Sequence, residues 1–167
     1  MRNSLLLFLL SICCLGLFGC PYESHVPIST PSIPVDSRYL GQWKSSDEVY
    51  NSYKVLKASE TEYEIIQENI SGVQRFKGHL SEVKNALFMN LYSDSTDIYY
   101  IYRVKMDPEA ERLTLIPVSA HIREKFGSME GFRTYLERNV NFQSLYNERE
   151  KADYVRLPNQ SGSAALN

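Results

Sequence analysis

Between residues 53 and 116 the chain is a train of short β-rich segments separated by polar turns, and that spacing leaves few architectures open. Residues 53–57 and 63–67 flank a turn at 59–62, as in a hairpin. Phe76, Gly78 and Leu80 alternate with Arg75, Lys77 and His79, the period-2 pattern of a half-buried strand. Leu87, Met89 and Leu91 repeat it beyond a turn at Lys84 and Asn85, residues 98–104 follow the turn 93–97, and residues 113–116 follow 107–109. Parallel neighbours need crossovers of a dozen or more residues, so links this short specify an antiparallel meander. A twisted meander of this length tends to close on itself. Tyr outnumbers Phe by 12 to 7, which suits strand surfaces where a ring packs while its hydroxyl stays wet.

After Pro117 the period changes. Ser128 is placed to cap a helix whose apolar positions Met129, Phe132, Leu136 and Val140 recur three or four residues apart, with Glu130, Arg133, Glu137 and Arg138 on the wet side. Residues 120–126 add a shorter helical turn, and the helical segment is expected to span 120–147 before a last strand, 153–157, stopped by Pro158. The expected fold is therefore mainly β with minor α: a small antiparallel barrel with a helical segment before its closing strand. Residues 159–167 read as a flexible tail.

The start of the chain carries the second constraint. Arg2 precedes an apolar run, residues 5–12, and Leu17, Phe18 and Gly19 lead into Cys20. This resembles the signal peptide and lipobox of bacterial lipoproteins, although Phe18 is bulkier than the residues usual at its position. The resemblance implies cleavage between Gly19 and Cys20, covalent lipid on Cys20 as the only prosthetic group, and a membrane as partner. It also implies the bacterial cell envelope as location, with the outer membrane preferred because Pro21 is not the aspartate associated with inner-membrane retention. The apolar run is too short to span a bilayer as a helix, which takes about 20 residues.

Residues 20–37 hold four of the seven prolines, and read as an extended tether that keeps the domain within about 50 Å of the membrane. The globular domain is expected from 38 to 158. All three cysteines, Cys13, Cys14 and Cys20, lie in the leader or at its end, so the domain has no thiol for a disulfide or a metal. Without residues 1–19 the chain carries 17 basic and 20 acidic side chains, which argues against a nucleic-acid partner.

Gly41 and Trp43 stand at the start of the first strand after the tether. Their Gly-x-Trp spacing resembles the signature of lipocalins and related calycin barrels. The resemblance implies that the indole plugs the closed barrel end and that a late arginine stacks on it, for which Arg156 is the candidate. A second lipocalin signature, Thr-Asp-Tyr, is met only out of register by Thr96, Asp97 and Tyr99, and the helix precedes the final strand where the core family places it after.

Catalytic chemistry is not legible. The chain has no Gly-rich phosphate loop, no Gly-x-Ser-x-Gly elbow and no His-Glu-x-x-His helix. His25, His79 and His121 read as solvated or structural residues, and no catalytic or metal-ligating set is assigned. Two functions stay open. One is a binding module holding a small apolar or amphipathic molecule; the other is an envelope interaction module with a filled barrel, docking through a strand edge or the helix. The inward set, Phe76, Leu80, Met89 and Leu91 among others, decides between them by filling the interior or leaving a cavity.

Overall fold

A computed structural model describes residues 22–46, 52–109 and 111–158. Gly19 and Cys20, with the rest of the leader and the tail, lie outside the described residues. Among the described residues nine strands occur in chain order: β1 (Glu23–Ser24), β2 (Gly41–Ser45), β3 (Ser52–Lys57), β4 (Tyr63–Asn69), β5 (Gly72–Val83), β6 (Ala86–Ser93), β7 (Ile98–Asp107), β8 (Arg112–Pro117) and β9 (Ala152–Arg156). One α-helix among them, α1 (Met129–Asn139), lies between β8 and β9.

Strands β2 to β8 form the expected meander, each antiparallel to the next, and β9 enters between β8 and β2 to close an eight-stranded, lipocalin-like barrel. Closure leaves one short edge. β8 ends at Pro117 opposite Tyr102, so the first residues of β7 have no β8 neighbour. β1 occupies that slot, Glu23 against Tyr100 and Ser24 against Tyr99, and covers part of the open edge.

Two apolar layers follow from the strand alternation. Val55, Tyr63, Ile65, Leu80, Met89, Val104 and Leu113 point inward with Trp43. Val83, Phe88, Ile101 and Ile116 point outward from β5 to β8, and are buried all the same because α1 and the flanking loops cover them. α1 contributes Phe132 and Leu136, and Val140 follows at its C-terminal end. The Ser128 hydroxyl accepts from the Gly131 N–H at 3.2 Å and satisfies one orphan donor of the first turn.

Four expectations need correction. Residues 120–126 are not helical: beyond a turn at Ala120 and His121 the chain runs irregularly, with Ile122 buried and the Glu124 carbonyl accepting from the Tyr22 hydroxyl at 3.0 Å. The helix ends at Asn139, and a 3-10 turn, Gln143–Leu145, follows. Met129 heads the apolar stripe yet is exposed, because the covered face of α1 begins at Phe132.

The largest correction concerns the tether. Residues 22–36 are a strap bound to the outer wall, with Tyr22 and Ile28 as buried as any core residue. Tyr22 packs against Phe132 and Phe126, and its N–H donates to the Val118 carbonyl at 3.0 Å. Ile28 N–H donates to Asn90 Oδ1 at 2.8 Å, while Asn90 Nδ2 donates to Ser81 Oγ at 2.9 Å. Proline density limits regular structure in the strap to the two residues of β1, but leaves apolar side chains between the prolines free to pack.

His79 takes the structural, hydrogen-bonded alternative of its two readings. It faces outward on β5 but lies under the strap, where its Nε2 sits 2.8 Å from the Ser29 carbonyl. A carbonyl only accepts, so Nε2 carries the proton. Burial lowers the His79 pKa below its ordinary 6.5, with the Ser29 hydrogen bond and Glu62 opposing. The unfolded chain therefore takes up the proton first on acidification, and the stability present above pH 6.5 falls from there down to the folded-state pKa. Thermal melts on either side of pH 6.5 should show this loss, and His79→Gln should flatten the dependence. An unchanged slope in the variant would place the acid sensitivity elsewhere.

Candidate functional site: the barrel interior

The inward side chains do not fill the barrel. A cavity of about 810 Å³ runs from Trp43 and Tyr39 at one end toward the β4–β5 and β6–β7 hairpins at the other. That volume lies in the range of small-molecule sites.

The floor is built by residues from opposite ends of the chain. β2 and β9 pair so that Trp43 and Arg156 are opposite each other, and the guanidinium carbon lies 4.5 Å from the indole centroid. The Arg156 guanidinium donates to the carbonyls of Leu40 and Arg38, and Nε is 3.4 Å from Glu111 Oε1. Trp43 Nε1 donates to the Tyr39 carbonyl at 2.9 Å, so the indole is fixed from both sides. Gly41 has φ +124°, and a Cβ there would stand 2.9 Å from Arg156 Nη1. Only glycine fits a position that is both left-handed and overlaid by the guanidinium. The structure thus brings together Gly41, Trp43 and Arg156, the three domain residues singled out from sequence.

The wall is apolar with a phenolic band. Val55, Ile65, Phe76, Met89, Leu91 and Val104 supply aliphatic, thioether and ring surface. Tyr53, Tyr100, Tyr102 and Tyr154 bring hydroxyls inward, and Gln67 Nε2 donates to the Tyr53 hydroxyl at 3.1 Å. Burial raises the Tyr102 pKa strongly, so its phenol stays neutral. These tyrosines and Gln67 were not singled out from sequence; their signal was the alternation itself, which assigns every second residue of each strand to the interior.

Charge is confined to the rim. Among the described residues around the cavity only Arg75 and Asp94 are charged, both exposed and already paired, Arg75 with Glu64 at 2.7 Å and Asp94 with Lys77 at 3.1 Å. Thr96, Asp97 and Tyr99 lie at the rim hairpin, where the Tyr92 hydroxyl donates to Asp97 at 2.8 Å. His25 and His121 are exposed and outside the cavity. Among the described residues no group of three or more His, Cys, Asp or Glu converges to hold a metal, and no helix is long and apolar enough to cross a membrane. The site can enclose, desolvate and hydrogen-bond a guest. In comparisons with known proteins, the chain matches no protein-family model, no curated protein and no solved structure.

Proposed function

We propose that this protein is a binding module that holds one small apolar or amphipathic molecule inside its barrel, at a membrane to which lipid on Cys20 attaches it. The observation that carries the reading is the unfilled interior. A barrel serving only as a scaffold is stabilised by filling such space, since each void forfeits contacts among its lining groups. The interaction alternative is weakened by the burial of the helix stripe under which Phe132 and Leu136 disappear.

The strap changes what the anchor does. Tyr22 is buried two residues after Cys20, and two extended residues reach about 7 Å. Lipid on Cys20 would therefore hold the barrel against the headgroups, with no spacer. Several acyl chains at about 0.8 kcal/mol per buried methylene make release negligible.

The test is native mass spectrometry on the chain from Pro21 to Asn167, purified from a bacterial envelope fraction without detergent. Extra mass lost on solvent extraction is expected, and it identifies the cargo class. A bare mass that persists after incubation with envelope lipid extract overturns the binding reading. The anchor is tested separately: Cys20→Ser should release the full chain from membranes after a carbonate wash, and retention would overturn lipidation.

A further inference from the structure

The barrel's polar side chains divide into two groups. Those on the outer wall are saturated: Asn90 accepts from Ile28 and donates to Ser81 and the His79 carbonyl, and Ser81 bonds Ser29. The inner band differs at two positions, Tyr100 toward the rim and Tyr102 deeper in the barrel, and the deeper one carries the argument. Tyr102 lies midway along β7, level with Met89 on β6 and Pro117 at the end of β8, and points into the cavity. Its hydroxyl has no hydrogen-bond partner among the described residues, whereas neighbouring Tyr53 is engaged by Gln67. The hydroxyl opens onto the cavity, so its O–H is free to donate to a guest that enters.

We infer that Tyr102 is the hydrogen-bonding anchor for the ligand, and that the ligand is uncharged: a long apolar body carrying an ester, ketone, ether or hydroxyl oxygen that accepts from the phenol. The inference rests on the binding reading above and specifies its chemistry. Anionic heads are disfavoured because, among the described residues, no cation lines the wall below the rim. Arg156 is sealed behind Trp43 on its own carbonyl acceptors, and the rim charges are paired. An ionised carboxylate or phosphate drawn to Tyr102 would lose its water without a counter-charge. A neutral oxygen accepts the open O–H bond and leaves nothing unpaired.

Trp43, the chain's single tryptophan, sits at the cavity floor and reports occupancy by its emission. The full chain, stripped of lipid, is titrated with methyl laurate, laurate and dodecane at a pH where laurate is ionised. Methyl laurate is expected to bind at least tenfold more tightly than laurate. Tyr102→Phe should weaken methyl laurate by about five- to tenfold, the worth of one hydrogen bond, and leave dodecane unchanged. The variant's melting temperature should not fall, because the hydroxyl bonds no other described residue. Equal weakening of ester and alkane would reduce Tyr102 to a packing residue and overturn the inference, as would tighter binding of laurate. Absence of binding by all three probes to the wild type, together with a bare native mass, overturns the binding reading itself.

Discussion

A chain beginning at Arg38, the boundary that the proline-rich sequence suggests, is expected to be largely unfolded or aggregated at temperatures where a chain beginning at Pro21 is native. The strap removes Tyr22 and Ile28 from water almost completely, and each such side chain contributes about 1.5–3 kcal/mol. Its loss uncovers the outward-facing Phe88 and Ile101 of the barrel and Phe132 of α1. Asn90 suffers as well, because its Oδ1 would lose the Ile28 N–H, and a buried orphan acceptor costs about 1–3 kcal/mol. Together these reach on the order of 5 kcal/mol or more, against a whole-domain stability of roughly 5–15 kcal/mol. Parallel thermal melts and dye binding to exposed apolar surface on the two chains measure the difference. Equal melting temperatures would mean that the strap is a passenger on a barrel able to stand alone.

The strap also shows where sequence reading stops. The barrel was legible because strand alternation is a local signal: Phe76, Gly78 and Leu80 declare one face and Lys77 and His79 the other, whatever the rest of the chain does. What covers the outer face is not local. For His79 the sequence leaves solvated and structural readings open, because nothing near it reveals that Ser29, 50 residues earlier, will lie across it. Residues 120–126 read as helical from composition, yet the Tyr22 hydroxyl takes the Glu124 carbonyl from a distance of 102 residues.

The cavity was illegible for a different reason. The inward residues can be named from the alternation, but whether they meet across the barrel depends on its radius, and radius follows from strand number and shear. Gly78 illustrates the point: it is an inward position with no side chain, and a Cβ there would meet Ile65 at 2.6 Å. The neighbours have closed over the glycine locally while the centre stays open. The three floor residues were picked out through a resemblance that turns on a short motif and one distant arginine. Tyr102, by contrast, is one of twelve tyrosines, and only its depth in the cavity together with its open hydroxyl separates it from the others.

Arg156→Ala is expected to lower the melting temperature by roughly 10 °C, and the reason lies in how the closed end is assembled. The last strand holds the barrel shut by pairing Arg156 with Trp43, and the guanidinium adds two bonds that a backbone ladder cannot, to the carbonyls of Leu40 and Arg38 in the turn before β2. Stacking on the indole contributes about 0.5–2 kcal/mol, and hydrogen bonds from a charged donor about 1.5–3 kcal/mol, reduced here because the site is partly wet. The contact with Glu111 adds little, since that carboxylate is largely exposed. A net loss of about 2–4 kcal/mol gives the stated shift in a domain of this size. Arg156→Lys keeps the charge but has no planar fork to reach both carbonyls while covering the ring, so most of the loss should remain. Gly41→Ala attacks the same latch from below, by forcing a side chain against the guanidinium at a left-handed backbone position, and should fall in the same range. If Arg156→Lys melts with the wild type, simple charge near Trp43 suffices and the two-carbonyl latch is wrong. If Arg156→Ala itself is neutral, the barrel is closed by strand pairing alone, and the arginine has another task at the sealed end.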